Sequence, residues 1–428
     1  MLREYQQRTI DQLYAWFSAG NTGNPCLVLP TGSGKSHIIA ALCKDALQSW
    51  PETRILMLTH VKELIAQNAE KMRQHWPNAP MGIYSAGLKR KELGEPITFA
   101  GIQSVRTKAK QIGHVDLVII DEAHLVSHKD EGGYRALLND LSVINSNLRI
   151  VGLTASPYRL GHGYITDAPA IFDALIEPVS IEELIYKGFL STLRSKLTTT
   201  KLEVDGVHKR GGEYIESELQ AAVDTTDKNA SIVQEIIKLA GERKSWLIFC
   251  AGVAHAQHIA TALQAQGITT ECVTGETPSA ERDRILTEFK AGRITALTNA
   301  NVLTTGFDAP GIDLIAMLRP TMSPGLYVQM AGRGLRIAPG KTDCMVLDFA
   351  GVVEQHGPIT AVKPPPRKGD KVGEAPVKVC DHCQEICHLS VRVCPACGEA
   401  FPEPERPVLK LHNLDIMGQE GIDLEVTS

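Results

Sequence analysis

Three groups of residues in this 428-residue chain have types and spacings that could do chemistry. The first is LPTGSGKS, residues 29–36. Consecutive backbone N–H groups at a helix start grip phosphate, and the helix dipole favours negative charge there. The amides of Thr31, Gly32, Ser33, Gly34, Lys35 and Ser36 would form that cradle, with Gly32 and Gly34 free to take positive φ. Lys35 would reach the β- and γ-phosphates of ATP, and the Ser36 hydroxyl would hold Mg²⁺. The full pattern asks for glycine where Leu29 stands, so the loop is a variant.

The second group is LVIIDEAH, residues 117–124. Four apolar residues would carry Asp121 and Glu122 to the carboxyl edge of a sheet, where ligands of open α/β folds bind. Asp121 would hold Mg²⁺ through water, and Glu122 would orient or deprotonate the attacking water. The third is CDHCQEICHLSVRVCPACG, residues 380–398. Cys380 and Cys383 form one C-x₂-C knuckle and Cys394 and Cys397 another. Together they could place four thiolates on one Zn²⁺ in a tetrahedral, structural site. Cys387 and His388 are surplus, so a Cys₃His set stays open.

These groups need elements to hold them. Residues 25–155 alternate short apolar runs (26–30, 54–59, 97–100, 116–120, 148–154) with helical stretches such as 61–75 and 134–144. That pattern predicts an α/β unit with a parallel sheet. It returns with runs at 245–250, 270–274, 294–298, 312–318 and 343–349, separated by helices near 228–241, 253–266, 278–291 and 323–332. The phosphate loop occurs only in the first unit.

The reading divides the chain into a first lobe (1–190), a connecting segment with a possible β-hairpin (191–220) and a second lobe (221–360). A Pro-rich basic linker (361–378), a zinc knuckle module (379–402) hanging from it and a tail (403–428) follow. The tail ends on the alternation Ile422, Leu424, Val426, which suggests a strand cut short.

Asp-Glu-Ala-His downstream of such a loop resembles the superfamily 2 helicases and translocases, over roughly residues 1–350. LREYQQ (2–7) resembles their adenine-reading motif, with Gln6 suited to the adenine edge and Arg3 and Tyr5 beside it. LTHVKEL (58–64) and AGIQSV (100–105) resemble motifs that touch the nucleic-acid backbone. LTASPYR (153–159) resembles the motif that couples hydrolysis to lobe movement, through Thr154 and Ser156, with His124 in the same coupling role. TTGFDAP (304–310) and QMAGRGLR (329–336) resemble second-lobe motifs. THVKELIAQN, AGLKRKE, LTTGFDAP and GRGLRIAPGKTDC are similar to RadD-type bacterial DNA-repair ATPases.

The resemblance implies two RecA-like P-loop NTPase lobes with ATP between them and nucleic acid on the opposite face. It implies ATP hydrolysis coupled to single-stranded or branched DNA, with single-stranded-DNA-binding protein as a partner and the chain acting as a monomer. Gln329, Arg333 and Arg336 would face the cleft from a helix ending near Gly334, the arginines as fingers on the γ-phosphate, with Gly306 and Asp308 lining the same cleft. A restriction-type translocase, an RNA helicase and an ATP-switched scaffold remain alternative readings.

The composition fits an ordinary soluble protein: 43% hydrophobic, 22% charged, net charge −5. So mild an acidity argues against bulk charge-driven nucleic-acid binding but allows a few placed cations. No apolar run reaches the length of a membrane span, and MLREYQQRTI does not read as a signal peptide. Scattered Cys26, Cys43, Cys250, Cys272 and Cys344 read as reduced core thiols, which points to the cytoplasm.

Overall fold

The computed structural model describes residues 2–126, 133–160, 162–167, 170–362 and 376–402. Most of the expected linker and all of the tail after residue 402, with its terminal alternation, lie outside the described residues.

The first sheet is built from β1 (Pro25–Val28), β2 (Ile55–Thr59), β3 (Met81–Ser85), β4 (Arg90–Lys91), β5 (Ile97–Gly101), β6 (Leu117–Asp121) and β7 (Arg149–Thr154). A small hairpin of β8 (Tyr158–Arg159) and β9 (Gly163–Tyr164) follows, and β10 (Ala174–Ile176) adds an edge. Its spatial order is β10-β1-β7-β6-β2-β5-β3-β4, parallel except where β4 turns back on β3. Helices α1 (Glu4–Ser18), α2 (Lys35–Ser49), α3 (Lys62–His75), α4 (Ile102–Val105), α5 (Ala109–Ile112), α6 (Gly133–Ile144) and α7 (Ile181–Tyr186) cover it.

The second sheet orders β11-β18-β17-β14-β16-β15, all parallel. These are β11 (Thr192–Leu197), β14 (Trp246–Cys250), β15 (Thr270–Val273), β16 (Ala296–Asn299), β17 (Leu314–Leu318) and β18 (Asp343–Asp348). A two-stranded hairpin, β12 (Lys209–Arg210) with β13 (Glu213–Tyr214), runs into α8 (Glu216–Val223). Helices α9 (Thr226–Ala240), α10 (Val253–Ala265), α11 (Ser279–Lys290), α12 (Pro324–Ala331) and α13 (Val352–His356) complete this lobe. Last come β19 (Val377–Val379) and β20 (Ile386–His388), an antiparallel pair.

Both sheets bury two faces, so their central strands are continuous apolar runs. One cluster fills the outer face of the first sheet, with Ile120, Leu137 and Phe172. Another fills a face of the second, with Ile248, Ile259 and Leu347. A third is shared by the lobes, running from Leu27 and Ile39 through Leu190 to Phe249 and Tyr327. The lobes thus share one apolar layer beneath their common cleft.

Three expectations change. The segment 191–220 is more than a joiner, because β11 hydrogen-bonds to β18 along its whole length and belongs to the second sheet. The helix carrying Gln329 ends at Ala331, so Arg333 and Arg336 project from the turns that follow it. Nor does the cysteine module hang free. Leu197 N donates to Gln384 O (3.2 Å), Ser195 N to the Glu385 carboxylate (2.9 Å) and Arg194 to Ala396 O (2.9 Å). The edge of β11 would otherwise expose unpaired backbone groups, and the module covers it.

Candidate active site and cysteine cluster

The phosphate loop leaves the end of β1. Leu29 N donates to Thr154 O (2.8 Å) and the Leu29 side chain is fully buried in the shared apolar layer. This explains the variant position: Leu29 still belongs to the strand's packing, and the loop's special backbone begins after it. Gly32 and Gly34 take φ of +85° and +83°, and α2 starts at Lys35 with no side chain over its first amides. From behind, the Tyr5 hydroxyl (2.6 Å) and the Gln6 amide (3.1 Å) both donate to Ser33 O. Gln6 Oε1 accepts from Arg3 N (3.0 Å), so both ends of that amide hold the loop and the start of α1. Tyr5 and Gln6 are buried behind the loop, whereas Arg3 lines the cleft with its guanidinium 4.5 Å over the Phe189 ring. Sequence reasoning missed Phe189, since one aromatic beside glycine carries no local signal.

At the end of β6, Asp121 is 3% exposed. Its Oδ1 accepts from Glu122 N and its Oδ2 from the Asn68 amide, each at 3.0 Å. Burial, then the Glu122 charge, pushes the Asp121 carboxyl up to about 6, against the pull of Lys35. Asn68 was also missed: it sits on the helix after LTHVKEL, and only the fold carries it to β6. Glu122 stands in the left-handed region, φ +52° and ψ +51°, which turns its carboxylate into the cleft.

His124 joins the lobes. Its Nδ1 lies 2.9 Å from Thr154 Oγ1 and 3.4 Å from Glu122 Oε2. Its Nε2 lies 3.1 Å from the Gln329 amide nitrogen, which can only donate, so the ring proton belongs on Nδ1. Burial, with Arg159 and Lys35 nearby, lowers this histidine to about 3 and keeps it neutral. Thr154 Oγ1 also accepts from Ser156 N (3.1 Å), and Ser156 packs on the second lobe at Gly325, where a Cβ would lie 3.4 Å from its Oγ.

Across the cleft, Arg333 donates to Phe307 O (2.5 Å) and Thr304 O (2.6 Å). Arg336 donates to Phe307 O (2.8 Å) and pairs with Asp308 (2.7 Å). Burial, and then Arg336, holds Arg333 well below its ordinary value, at about 9. The lobes touch closely here. A Cβ on Gly332 would lie 2.7 Å from the Thr31 side chain, and one on Gly306 would lie 3.0 Å from Glu63 Cβ. One cavity of about 250 Å³ is lined by Lys35, Ser36, Asp121 and Glu122 from the first lobe and by Gly306, Asp308, Arg333 and Arg336 from the second.

In the C-terminal module the Sγ atoms of Cys380, Cys383, Cys394 and Cys397 all lie within 4.8 Å of one another. Cys380–Cys397 and Cys383–Cys394 are each 3.6 Å apart. A tetrahedral S₄ zinc site, with Zn–S near 2.3 Å, needs sulfurs about 3.8 Å apart, so the donors fit the ion. Of the surplus residues, Cys387 is buried beside Cys380 and Cys394 with its Sγ donating to Glu385 O, and His388 Nδ1 turns to Ser390 Oγ (2.7 Å).

Two RecA-like lobes around one phosphate-loop cleft, with cations from the second lobe, define the superfamily 2 helicase-like ATPases, and this chain belongs to them. Residues 1–159 match the family of the type III restriction enzyme res subunit, and residues 227–338 match the helicase conserved C-terminal domain. The chain is 30% identical over 368 residues to the helicase-like protein IRC3 of Saccharomyces cerevisiae, covering 82% of this chain and 52% of that one. It therefore spans about half the length of that relative.

Among solved structures, it resembles the type ISP restriction-modification enzyme LlaBIII bound to DNA (TM-score 0.58, 14% identity, 81% of this chain and 27% of that one). It also resembles Saccharomyces cerevisiae Dbp5 bound to RNA and ADP BeF3 (TM-score 0.57, 13% identity, 85% and 88%). These two likenesses show the fold. Among the described residues no helix is long and apolar enough to cross a membrane.

Proposed function

We propose that this chain hydrolyses ATP to translocate on, unwind or remodel DNA, in repair or recombination. The observation that carries the reading is the split cleft: the phosphate loop and two carboxylates on one lobe, guanidiniums on the other. A site completed from two lobes ties hydrolysis to their closure and opening, which is what a motor on a strand requires. Lys35 binds the terminal phosphates, and Ser36 and Asp121 are the residues that would hold Mg²⁺. Glu122 orients the attacking water, and Arg333 and Arg336 neutralise charge as the γ-phosphate leaves. His124, Thr154, Ser156 and Gln329 carry the state of the cleft between lobes.

DNA is favoured over RNA by the match to a restriction-subunit family, together with the resemblance to RadD-type repair ATPases. In this reading the protein works as a monomer in the cytoplasm beside single-stranded-DNA-binding protein, with one structural zinc on the four-cysteine site. The test is ATPase rate with single-stranded, duplex and forked DNA and with RNA, side by side. Strong stimulation by DNA alone supports the reading, and stimulation by RNA alone overturns its substrate.

A further inference from the structure

The segment between the lobes does more than connect them. Hairpin β12–β13 and helix α8 place three acceptors against donors at the carboxyl edge of the second sheet. Glu213 accepts from Thr321 Oγ1 (2.5 Å) and Met322 N (3.0 Å), just beyond β17. Glu216 accepts from the Asn301 amide (2.5 Å), just beyond β16, and Asn301 in turn accepts from Arg319. Gln220 accepts from Ala254 N (3.1 Å) in the first turn of α10, just beyond β14. A Cβ on Gly252 would fall 2.0 Å from Gln220 Oε1, so only glycine admits this contact.

Helix-start amides, an asparagine, a threonine hydroxyl and an arginine are the donors that grip a phosphate backbone, and this edge is where open parallel sheets bind ligands. Here side-chain oxygens of the chain itself take them: Glu213 the threonine, Glu216 the asparagine, Gln220 the helix-start amide and Asn301 the arginine. The cover is imperfectly packed: a cavity of about 250 Å³ remains, lined by Arg210, Glu213, Glu216 and Arg319 among others.

The covered loop leads directly to the ATP cleft. Asn301 and Leu303 both take positive φ, +56° and +64°, an uncommon and costly conformation for residues other than glycine. A few residues on, Thr304 O and Phe307 O hold Arg333 and Arg336. A loop released from Glu216 is free to relax and to shift the carbonyls that restrain both arginines.

We propose that residues 208–223 are an autoinhibitory cover, which a single nucleic-acid strand displaces from the second lobe, freeing the arginines for the γ-phosphate. The proposal rests on the nucleic-acid-dependent ATPase reading above. The test compares the wild-type chain with one carrying Glu213→Ala, Glu216→Ala and Gln220→Ala. Binding of a fluorescent single-stranded oligonucleotide is read by anisotropy, and ATPase is read with and without that strand.

Loss of the competing acceptors should tighten binding about tenfold and raise the strand-free ATPase toward the stimulated rate. Equal removal of charge at Glu281 and Glu288 on α11, away from the cover, should tighten it far less. Should the triple variant not fold, Glu213→Gln with Glu216→Gln keeps the shape while removing the charge, and should show a smaller shift of the same sign. Unchanged or weaker binding in the opened variants, tightening matched by the α11 control, or no binding by any chain would overturn the cover. If no nucleic acid stimulates the wild-type ATPase, the functional reading falls, and the cover is then decided by anisotropy alone.

Discussion

Replacing Arg336 with alanine probes whether the second lobe completes the ATP site. The guanidinium carries five donors in a planar fork. In this structure Nη1 serves Phe307 O and Asp308, which leaves Nε and the Nη2 pair for a γ-phosphate in the shared cavity. An arginine finger in related chemistry is worth about 10³–10⁵ in rate, or roughly 4–7 kcal/mol. Part of that is offset here, because drawing Arg336 toward phosphate weakens a charge-assisted pair worth on the order of 1 kcal/mol at its half-exposed Asp308 end.

The net loss for Arg336→Ala should therefore be about 10²–10⁴ in kcat, with ATP affinity within about tenfold of wild type, since the contact strengthens mainly in the transition state. Single-turnover hydrolysis, with binding of a fluorescent ATP analogue measured in parallel, separates the two quantities. Arg336→Lys should stay slow, because a point charge does not reproduce the fork. A kcat within about fivefold of wild type would refute the reasoning and return Arg336 to a purely structural pairing with Asp308.

The first lobe divides its labour, so Lys35→Ala should abolish tight ATP binding whereas Glu122→Gln should bind ATP and not turn it over; near-normal turnover in the latter removes Glu122 from the water-orienting role. Cys380→Ser should lower zinc, by metal analysis, from one equivalent per chain to none. It should also lower the melting temperature of the second lobe, whose β11 edge loses its cover, while ATP binding by the first lobe persists. Full retention of zinc, or iron in its place, overturns that assignment. His124 supplies a pH test: its folded value near 3 lies below an unfolded value near 6.5. Its contribution is therefore fully present above about pH 6.5 and is lost as pH falls toward 3. Between pH 7 and 5 the wild-type chain should lose roughly 2 kcal/mol that a His124→Asn chain does not lose, measured by urea unfolding at each pH.

Much of this was legible in the residues. Parallel strands buried on both faces must be apolar throughout, so 117–120, 246–250 and 314–318 announced themselves, and the helices between them showed their 3.6-residue period. The two cysteine pairs were equally plain. β3, with Gly82 near its start, and β11, with Arg194 and Lys196, alternate too weakly to stand out, and only β18 shows that β11 belongs to a sheet. Gln6 looked like a base reader because its type and place suited one, yet its amide is spent on Ser33 O and Arg3 N. Asn68, Phe189 and the acceptors of the cover were hidden for one reason: each acts on a partner far along the chain, and local periodicity carries no such information.

The loop at Leu29 now has a physical account. A complete glycine pattern would serve a loop that must wrap phosphate unaided, but this loop is braced from two sides. Tyr5 and Gln6 fix Ser33 O from behind, and Gly332 of the second lobe lies against Thr31 from the front. Only Gly32 and Gly34 need the left-handed backbone, and Gly332 has no room for a side chain because the phosphate loop already fills it. The glycines of the second lobe thus do for the first what a self-contained loop would do with its own. The same contact makes the cleft sensitive to lobe position. If the lobes part, Thr31 loses its support, His124 loses Gln329, and both arginines leave the cavity they share with Lys35. In the proposed function the same few contacts build the site and hold the lobes, which would couple hydrolysis to lobe movement.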